Sequence, residues 1–469
     1  MIFRKLRLAF LLLLGLFLVG CTVIPVDQGK DPNPGDETFD PDDDYDKLTL
    51  DEIKAIIKAK IPEIAPEKLY LPIGIKDSSA SISWRSDSEQ IDIISGEVTK
   101  GAKDTVVILT AYIRFHDQTY VMDIPITVKG VELRPLKTKN VISGYFFDSK
   151  YFAISDEMAS QIDVINYSFA TIDKTTHKLN LNGLFHLSEV LALREKGIRV
   201  TLAIGGWGAD GFSQGVRTKE ARETLINSIM ETLRKHQFDG IDLDWEYPTS
   251  TVAGIAAHPS DKANLTLFVQ ELRQAMDSYR DDLLLTIAVI GGSSASSFYD
   301  IPGLVPYIDF FNIMTYDGGT GTVANHHTNL RPTAKQNTSV VSAANVYLSL
   351  GVPKEKIVIG GAFYGHRKTF TTVFDGILYS PTTPSGTLDY TTIKNTVLTD
   401  PSYQYYFDEE AQAPYLSNGT YFISYDDPVS IALKAQYAKD NSFGGMMFWE
   451  LGSDKSGELL NAIYQVFKD

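Results

Sequence analysis

The sequence is short of cysteine, tryptophan and net positive charge. Its 469 residues include one cysteine, Cys21, so neither a disulfide within the chain nor a cysteine metal cluster can form. The 43 basic residues are outnumbered by 59 acidic ones, the formal net charge is -16, and no basic cluster stands out. Binding to a phosphate backbone needs such a cluster, so we expect no nucleic-acid partner. A neutral polymer remains compatible with this charge.

The N-terminus has the layout of an export signal. Basic residues at positions 4, 5 and 7 precede an apolar run over 8–19, which is short for a membrane-spanning helix. The ending Leu18-Val19-Gly20-Cys21 resembles the bacterial lipoprotein processing site, which implies a signal peptide over 1–21 and a lipid on Cys21. A plain signal peptide with an incidental cysteine and an uncleaved anchor are the alternatives. We expect an exported cell-envelope lipoprotein, anchored to the membrane at Cys21, with its catalytic domain extracytoplasmic.

Two segments separate this signal from the main domain. Residues 22–46 are rich in proline, glycine and aspartate, which predicts a disordered acidic linker. Residues 47–132 predict a small β-rich domain with a helix over 48–60, strands over 80–84, 91–94, 105–115 and 120–128, and a hairpin around His116. The stretches SISWRSDSEQIDIISGEVT and VVILTAYIRF resemble the immunoglobulin-like modules of bacterial surface proteins, which implies an immunoglobulin-like domain here.

From residue 139 to 469 the pattern alternates between strand and helix. Continuous apolar runs predict strands over 141–147, 162–169, 198–206, 238–246, 283–290, 308–316, 356–364 and 444–450. Helices are predicted between them, for example over 218–237 and 261–280. Eight such repeats indicate an α/β fold, the (β/α)8 TIM barrel. The connection between strands 7 and 8 is long enough for a small insertion subdomain over about 366–425, followed by a helix over 428–440.

The fourth predicted strand carries a row of acids in an apolar sequence. Side chains alternate along a strand, so Asp242, Asp244 and Glu246 share one face, while the apolar residues between them point the other way. A buried row of carboxyls costs several kcal/mol as plain structure, at least about 2 kcal/mol per unpaired polar group. An exposed edge strand with a solvated acidic face is the bland alternative. In a barrel the row ends at the active-site face, with Glu246 outermost and able to stay protonated as a general acid.

These acids carry a family resemblance. Asp239, Asp242, Asp244 and Glu246, in DGIDLDWE, fit the D-x-x-D-x-D-x-E signature of the family 18 glycoside hydrolases, the chitinases and their relatives. Further motifs at the ends of strands 3, 6, 7 and 8 are Ala203-Ile204-Gly205-Gly206, Met314-Thr315-Tyr316-Asp317, Phe363-Tyr364-Gly365 and Trp449. Two departures stand out: alanine at 203, where the family usually has serine, and His366 between Gly365 and Arg367, where arginine often follows directly.

The resemblance implies substrate-assisted hydrolysis with retained configuration. It makes Glu246 the general acid, Asp244 the group that orients the substrate acetamide, Asp242 its support and Tyr316 a donor to the attacking acetamide oxygen. Asp239, Gly205 and Gly206 are expected to support the site. Substrate-binding roles are expected at the strand ends, for Tyr145, Phe169, Trp207, Tyr247, Met314, Asp317, Tyr364, Arg367 and Trp449.

An endo-acting chitinase is therefore the leading functional prediction, with chitin or a related N-acetylglucosamine oligosaccharide as the partner. An endo-β-N-acetylglucosaminidase acting on N-glycans or another N-acetylglucosamine glycan is the alternative within the enzyme class. A non-catalytic lectin on the same barrel is the alternative from another class, and the complete acid row argues against it. We expect a monomer without a cofactor. We also expect no metal, since His258, His326 and His327 lack metal-ligand spacing with carboxylates.

Overall fold

The computed structural model describes residues 46–101, 103–131, 134–137, 139–319, 321–372 and 376–468. The predicted signal peptide, Cys21 and all but the last residue of the predicted linker lie outside these residues. Within the described part of the chain, no helix combines the length and the apolar character needed to cross a membrane.

The N-terminal domain is one antiparallel sheet covered by a helix. Helix α1 (Leu50–Lys60) starts at a capping box, in which Thr49 and Glu52 each bond the other's backbone N–H. Strands β1 (Ser81–Ser86), β2 (Thr105–Phe115) and β3 (Gln118–Val128) pair in that order. The hairpin predicted around His116 is confirmed, because the register pairs Phe115 with Gln118.

The two packed sheets that the immunoglobulin-like resemblance implies are not seen in the described residues of this domain. The described residues of this domain form a single three-stranded sheet, whose core includes Ile53 and Ile57 from α1. The predicted strand over 91–94 is reduced to an isolated bridge between Ile91 and Val98. An amphipathic helix thus takes the place of a second sheet as the cover of the apolar face.

The remaining strands build the barrel and its insertion. In chain order they are β4 (Val141–Phe147), β5 (Val164–Ile172), β6 (Leu179–Asn180), β7 (Arg199–Gly205), β8 (Gly240–Asp244), β9 (Leu284–Ile290), β10 (Phe311–Met314), β11 (Ile357–Ala362), β12 (Tyr364–Phe370), β13 (Thr382–Asp389), β14 (Gln404–Asp408), β15 (Ala413–Ser417), β16 (Tyr421–Ser424) and β17 (Gly445–Trp449).

Eight of these strands close into a parallel barrel. Their order is β4-β17-β11-β10-β9-β8-β7-β5, and β5 pairs with β4 to close the ring. Each of the eight predicted strands overlaps one of them, with only β5 running past its predicted end, so the predicted (β/α)8 barrel is confirmed. The outer faces of the strands pack against the helices in the largest hydrophobic core of the described residues. A separate interior cluster includes Val164, Ala203, Val358 and Met447.

The helices of this region surround the barrel or connect its strands. They are α2 (Asp156–Gln161), α3 (Leu187–Ala192), α4 (Phe212–Gly215), α5 (Lys219–His236), α6 (Asp261–Tyr279), α7 (Ala295–Phe298), α8 (Ile301–Leu304), α9 (Val340–Ser349), α10 (Tyr390–Thr392), α11 (Pro428–Asp440) and α12 (Glu458–Phe467). Their starts follow from local chemistry: Thr218 accepts from the backbone N–H of Ala221 at the start of α5, and Asp427 accepts from that of Ser430 at the start of α11.

The insertion between β11 and β17 forms its own antiparallel sheet. Strands β12 to β16 pair in the order β13-β12-β16-β15-β14. Strand β12 begins two residues after β11 ends, so the insertion rises directly from the carboxyl end of a barrel strand. Strands β11 and β12 together place the first residues of the insertion beside the face where barrel active sites lie.

Candidate active site

The acid row lies on the inner face of β8 and just beyond it. Asp242 and Asp244 are buried, at 0% and 4% exposure, and Glu246 follows two residues after the strand ends. The residues that alternate with the acids point outward, into the core between the strands and the helices. There Trp245 stacks on Phe212 with ring centroids 5.1 Å apart. The predicted alternation is therefore what brings the carboxyls together.

Asp242, the deepest of the three, is held by bonds from three other barrel strands. Its Oδ2 accepts from the hydroxyl of Tyr145 at 2.8 Å, and its Oδ1 accepts from Thr286 at 2.6 Å and from the amide of Asn312 at 3.0 Å. Burial raises its pKa, while these three hydrogen bonds oppose the rise. Asp242 thus satisfies both oxygens without a bond to Asp244.

Asp244 differs from Asp242 in having an unsatisfied oxygen. Its Oδ1 is buried and has no hydrogen-bond partner in the described part of the chain. Burial raises its pKa well above the ordinary value, and the charges of Glu246 and then Asp242 raise it further. A buried acceptor without a donor is costly, so this oxygen is prepared for an N–H or O–H brought by a ligand.

Glu246 lies at the surface of the cleft and is suited to proton transfer near neutrality. Burial is the largest cause that raises its pKa to about 7, and the charge of Asp317 adds to the rise while a hydrogen bond with Tyr247 opposes it. A carboxyl with this pKa is protonated in a large fraction of molecules at neutral pH. It can donate a proton and later take one back.

Tyr316 and Asp317 follow β10 on the same face. Burial raises the pKa of Tyr316 well above its ordinary value, and the charge of Asp244 is the next cause, so the phenol remains a donor. Asp317 Oδ1 accepts from the hydroxyl of Tyr364 at 2.5 Å and lies 2.7 Å from Nε2 of His366. Asp317 adopts φ of 60°, a left-handed conformation that aspartate tolerates better than most residues.

Trp449 closes the floor of the cleft at the end of β17. Its ring stacks on Phe169 at 5.6 Å with an interplanar angle of 17°, and it contacts Tyr145 at 5.7 Å and Phe147 at 5.8 Å. Aromatic rings offer flat apolar faces of the kind that pack against flat ligands. The four rings come from strands β4, β5 and β17, and β17 is far from the other two in the sequence.

The upper rim exposes two large aromatic side chains. Trp207 is 62% exposed and contacts Tyr247 edge to face, with ring centroids 6.4 Å apart. Phe185 is 80% exposed. Both rings line the cleft, so they offer apolar faces to a ligand bound there.

The cleft has a volume of about 1010 Å³, enough for several sugar rings rather than one. Of the predicted site residues, those that line it are Tyr145, Phe169, Gly205, Gly206, Trp207, Asp244, Glu246, Tyr247, Met314, Tyr316, Asp317, Tyr364 and Trp449. Asp242 and Asp239 lie beneath it. Asp239 is buried at the start of β8, where it accepts from Arg134 at 2.8 Å and from the backbone N–H of Val200 at 2.9 Å.

Arg367, predicted to bind substrate, is not among the residues that line the cleft, and its role stays a prediction. Strand alternation turns Tyr364 and His366 toward the cleft and Arg367 toward the opposite face of β12. There Arg367 donates to the carbonyl of Ser385 and lies over the ring of Tyr421, 5.2 Å from its centroid. His366, which interrupts the family motif in the sequence, occupies the cleft instead.

Sequence reasoning also missed polar residues after β4. Lys150 lines the cleft and bonds Asp389 of the insertion at 2.6 Å and Ser453 at 3.0 Å, with Glu450 3.3 Å away. Asp148 lines it too, and accepts from the hydroxyl of Tyr167. Their position directly after the carboxyl end of a barrel strand was a signal that could have found them.

Glycine is required at two positions of the third strand end. Gly205 and Gly206 have φ of 118° and 88°. A Cβ on Gly205 would lie 2.0 Å from the backbone oxygen of Asp244, and one on Gly206 would lie 2.7 Å from the ring of Phe169. The two glycines therefore let β7 approach both the acid row and the aromatic floor.

Three features define the class of this protein. They are a carboxyl that titrates near neutrality, a buried acceptor beside it, and an aromatic cleft at the carboxyl end of a parallel barrel. This is a (β/α)8 barrel protein with a glycosidase-type site. The family model of the glycosyl hydrolases family 18 matches residues 141–454, and the chain belongs to that family.

Similar proteins agree with this membership. Chitinase A1 of Niallia circulans is 32% identical over 312 residues, covering 61% of this chain and 44% of the relative. Putative chitinase 1 of Margaritifera margaritifera is 30% identical, covering 61% of this chain and 65% of the relative. The matched region thus spans less than two thirds of either relative. A solved structure, a family 18 N-acetylglucosaminidase from Paenibacillus barengoltzii, is 35% identical with a TM-score of 0.66, covering 70% of this chain and 99% of that one.

Proposed function

We propose that this protein is an endo-acting hydrolase of β-1,4-linked N-acetylglucosamine polymers, with chitin as the substrate, and that it works by substrate assistance with retained configuration. The observation that carries this proposal is the pair formed by Glu246, which titrates near neutrality, and the unpartnered buried oxygen of Asp244. An acetamido N–H is a donor that would satisfy that oxygen. The names of the relatives, chitinases among them, support the choice of substrate.

The first half of the proposed reaction breaks the glycosidic bond. Glu246 donates its proton to the glycosidic oxygen as that oxygen leaves the anomeric carbon with the bonding electron pair. The acetamide oxygen of the same sugar attacks the anomeric carbon and forms a cyclic oxazolinium ion. Asp244 accepts the acetamide N–H and offsets the positive charge, and Tyr316 donates a hydrogen bond to the attacking oxygen.

The second half restores the sugar and the enzyme. The Glu246 carboxylate takes a proton from water as the water oxygen bonds to the anomeric carbon. The ring bond from the acetamide oxygen breaks, and its electron pair returns to the acetamide. Two inversions at one carbon leave the configuration unchanged, and Glu246 ends protonated.

A second enzyme activity has a specific observation in its favour. The Paenibacillus barengoltzii structure, which the chain covers almost completely, belongs to an N-acetylglucosaminidase. Cleavage at an N-acetylglucosamine linkage outside chitin, including the core of N-glycans, is therefore the alternative. The same two carboxyls would act in it, so the choice depends on which sugars the cleft accepts.

One experiment separates these activities. The full chain and its Glu246→Gln variant are incubated with chitin hexamer and with a high-mannose glycopeptide, and products are followed by mass spectrometry. We expect the hexamer to be cleaved at internal bonds and the variant to lose at least about 10²-fold in rate. Release of single sugars from one end would contradict the endo mode, and cleavage of the glycopeptide alone would select the alternative. A parent that retains chitin without cleaving either substrate would contradict the enzyme proposal.

We also propose that the chain is anchored to a membrane through a lipid on Cys21 and acts outside the cytoplasm as a monomer. The support for the anchor is the sequence at 4–21, and the support for a monomer is that one chain supplies every side chain of the candidate site. Labelled fatty acid should enter the parent but not a Cys21→Ser variant when both are expressed in bacteria. Light scattering should give the mass of a single chain.

A further inference from the structure

A cluster of side chains able to ligate a metal lies on the wall of the cleft, at the insertion. Asp317, His327 and His366 each offer one ligand atom, and these three atoms all lie within 4.8 Å of one another. Two of the residues, Asp317 and His366, line the cleft, so an ion could enter from solvent. The third, His327, is 1% exposed and lies behind them.

His327 is the residue that ordinary packing explains least. Neither of its buried ring nitrogens has a partner with good hydrogen-bond geometry in the described part of the chain, and the backbone of Tyr364 offers the ring only a weak hydrogen bond. A buried imidazole usually satisfies at least one nitrogen, because leaving a polar atom unpaired costs about 1–3 kcal/mol. A neutral imidazole with a free nitrogen is the form that binds metals.

The three side chains are held together by the fold. The backbone N–H of His327 donates to Ser424 at 3.0 Å, and Ser424 is the cross-strand partner of His366 in the β12–β16 register. The carbonyl of His327 accepts from the backbone N–H of Gly318 at 2.9 Å, which ties it to the residue after Asp317. The backbone of the site is therefore held by strand β12 and by loop segments that hydrogen bonds fix in place.

The three ligand atoms lie close enough together to share one small dication once the rings are reoriented. Asp317 Oδ1 lies 2.7 Å from Nε2 of His366 and 3.9 Å from Nδ1 of His327. The two imidazole rings are stacked and nearly parallel, 4.4 Å apart at 11°, so at least one ring must turn out of the stack before both nitrogens can point at one ion. Two imidazoles and one carboxylate, with a position left for water, form a donor set typical of zinc and similar transition metals.

We propose that Asp317, His327 and His366 form a binding site for a divalent transition-metal ion such as Zn²⁺. This replaces the expectation from sequence that the chain has no metal site, because the two histidines are 39 positions apart and meet only through the insertion. A dication bound there would offset the charge of Asp317, which is one cause of the raised pKa of Glu246. That consequence for the acid rests on the proposed function, whereas the binding site does not.

Calorimetric titration tests the site without any measurement of hydrolysis. The probe is ZnCl₂ added to the untagged full chain, with Co²⁺ absorption in the visible range as a second readout of nitrogen and oxygen ligation. We expect one ion per chain in the parent. His366→Ala, on a partly exposed residue, and Asp317→Asn should each weaken binding at least about tenfold. His258→Ala, on an exposed loop histidine elsewhere, is the matched control and should bind as the parent does.

Two results would overturn the proposal. One is a parent that binds Zn²⁺ no more tightly than about 1 mM. The other is equal affinity in the parent, His366→Ala and Asp317→Asn, which would place any bound ion elsewhere. Circular dichroism of each variant shows that a lost site is not a lost fold.

Discussion

The hydroxyl of Tyr145 donates to Oδ2 of Asp242 at 2.8 Å, from strand β4 to strand β8 across the barrel interior. Tyr145 also contacts Trp449, with ring centroids 5.7 Å apart. One side chain thus joins the deepest carboxyl of the acid row to the aromatic floor of the cleft. The position of the floor relative to the acids depends on this contact.

Replacing this tyrosine tests the link directly. Tyr145→Phe keeps the ring but removes one of the three donors that oppose the rise in the pKa of Asp242. We expect a loss of about 1–3 kcal/mol in the free energy of unfolding, because a buried acceptor oxygen loses its partner. We also expect a lower kcat with little change in KM. Denaturation curves and steady-state kinetics measure the two effects, and a variant with unchanged kcat would contradict a role for Asp242 in the acid row.

The acid row should make the protein less stable in alkali. The folded-state pKa of Glu246 is raised to about 7, above its ordinary value. A group of this kind contributes stability that is present below its unfolded pKa and is lost as the pH rises through its folded pKa. Glu246→Gln removes that loss, so the variant should be more stable than the parent at pH 8, by up to about 3 kcal/mol, and about equal to it at pH 4.

Thermal unfolding of both proteins across this pH range checks the prediction. Lys219→Gln, at an exposed ion pair in helix α5, is a control whose small effect should not depend on pH in this way. An equal difference between parent and Glu246→Gln at every pH would show that the carboxyl does not titrate as its environment requires.

Two tryptophans should separate binding from stability. Trp207 is 62% exposed at the rim of the cleft, so Trp207→Ala should raise KM for chitin oligomers at least about fivefold, the loss of about 1 kcal/mol expected for a significant binding residue, and leave stability unchanged. Trp84, in the N-terminal domain, is half-buried and donates from Nε1 to the carbonyl of Pro72 at 2.8 Å. Trp84→Ala should lower the melting temperature without raising KM. A lower melting temperature with unchanged KM in Trp207→Ala, or a raised KM in Trp84→Ala, would contradict these assignments.

The sequence predicted the barrel and the acid row because both rest on local periodicity. The apolar runs marked each strand, and alternation alone placed Asp242, Asp244 and Glu246 on one face. The same alternation in β12 turns Tyr364 and His366, rather than Arg367, toward the cleft. The contacts made by the insertion could not be predicted from the sequence. His327 approaches His366 only because β12 pairs with β16, and pairings between distant segments leave little trace in a single sequence.

The single sheet of the N-terminal domain is a second case of the same kind. Its strand patterns resemble those of a sandwich, since an apolar face covered by a helix and one covered by a second sheet show equal alternation. Helix α1 was predicted, but nothing local indicated that Ile53 and Ile57 would enter the core of the sheet. Which element covers a face is decided by tertiary packing.

A buried ion pair fastens the insertion to the barrel, and breaking it should be costly. Nζ of Lys434 in α11 lies 2.6 Å from Asp426 Oδ2 and 2.6 Å from the hydroxyl of Thr328, and the side chains of both charged residues are fully buried. Asp426 also accepts from the backbone N–H of Ala362, at the end of strand β11, at 3.1 Å. Burial lowers the pKa of Lys434, with Asp426 opposing. The pair therefore persists because each charge compensates the other.

Lys434→Met should lower the free energy of unfolding by about 3–5 kcal/mol, because it leaves the carboxylate of Asp426 buried without its cation. The double variant Lys434→Met with Asp426→Asn removes both charges and should recover part of that loss, although a side-chain amide at this position accepts more weakly from Ala362 than the carboxylate does. Urea denaturation of the two variants measures the difference. A double variant less stable than Lys434→Met alone would show that the hydrogen bonds of Asp426, rather than its pairing with Lys434, hold the end of β11 in place.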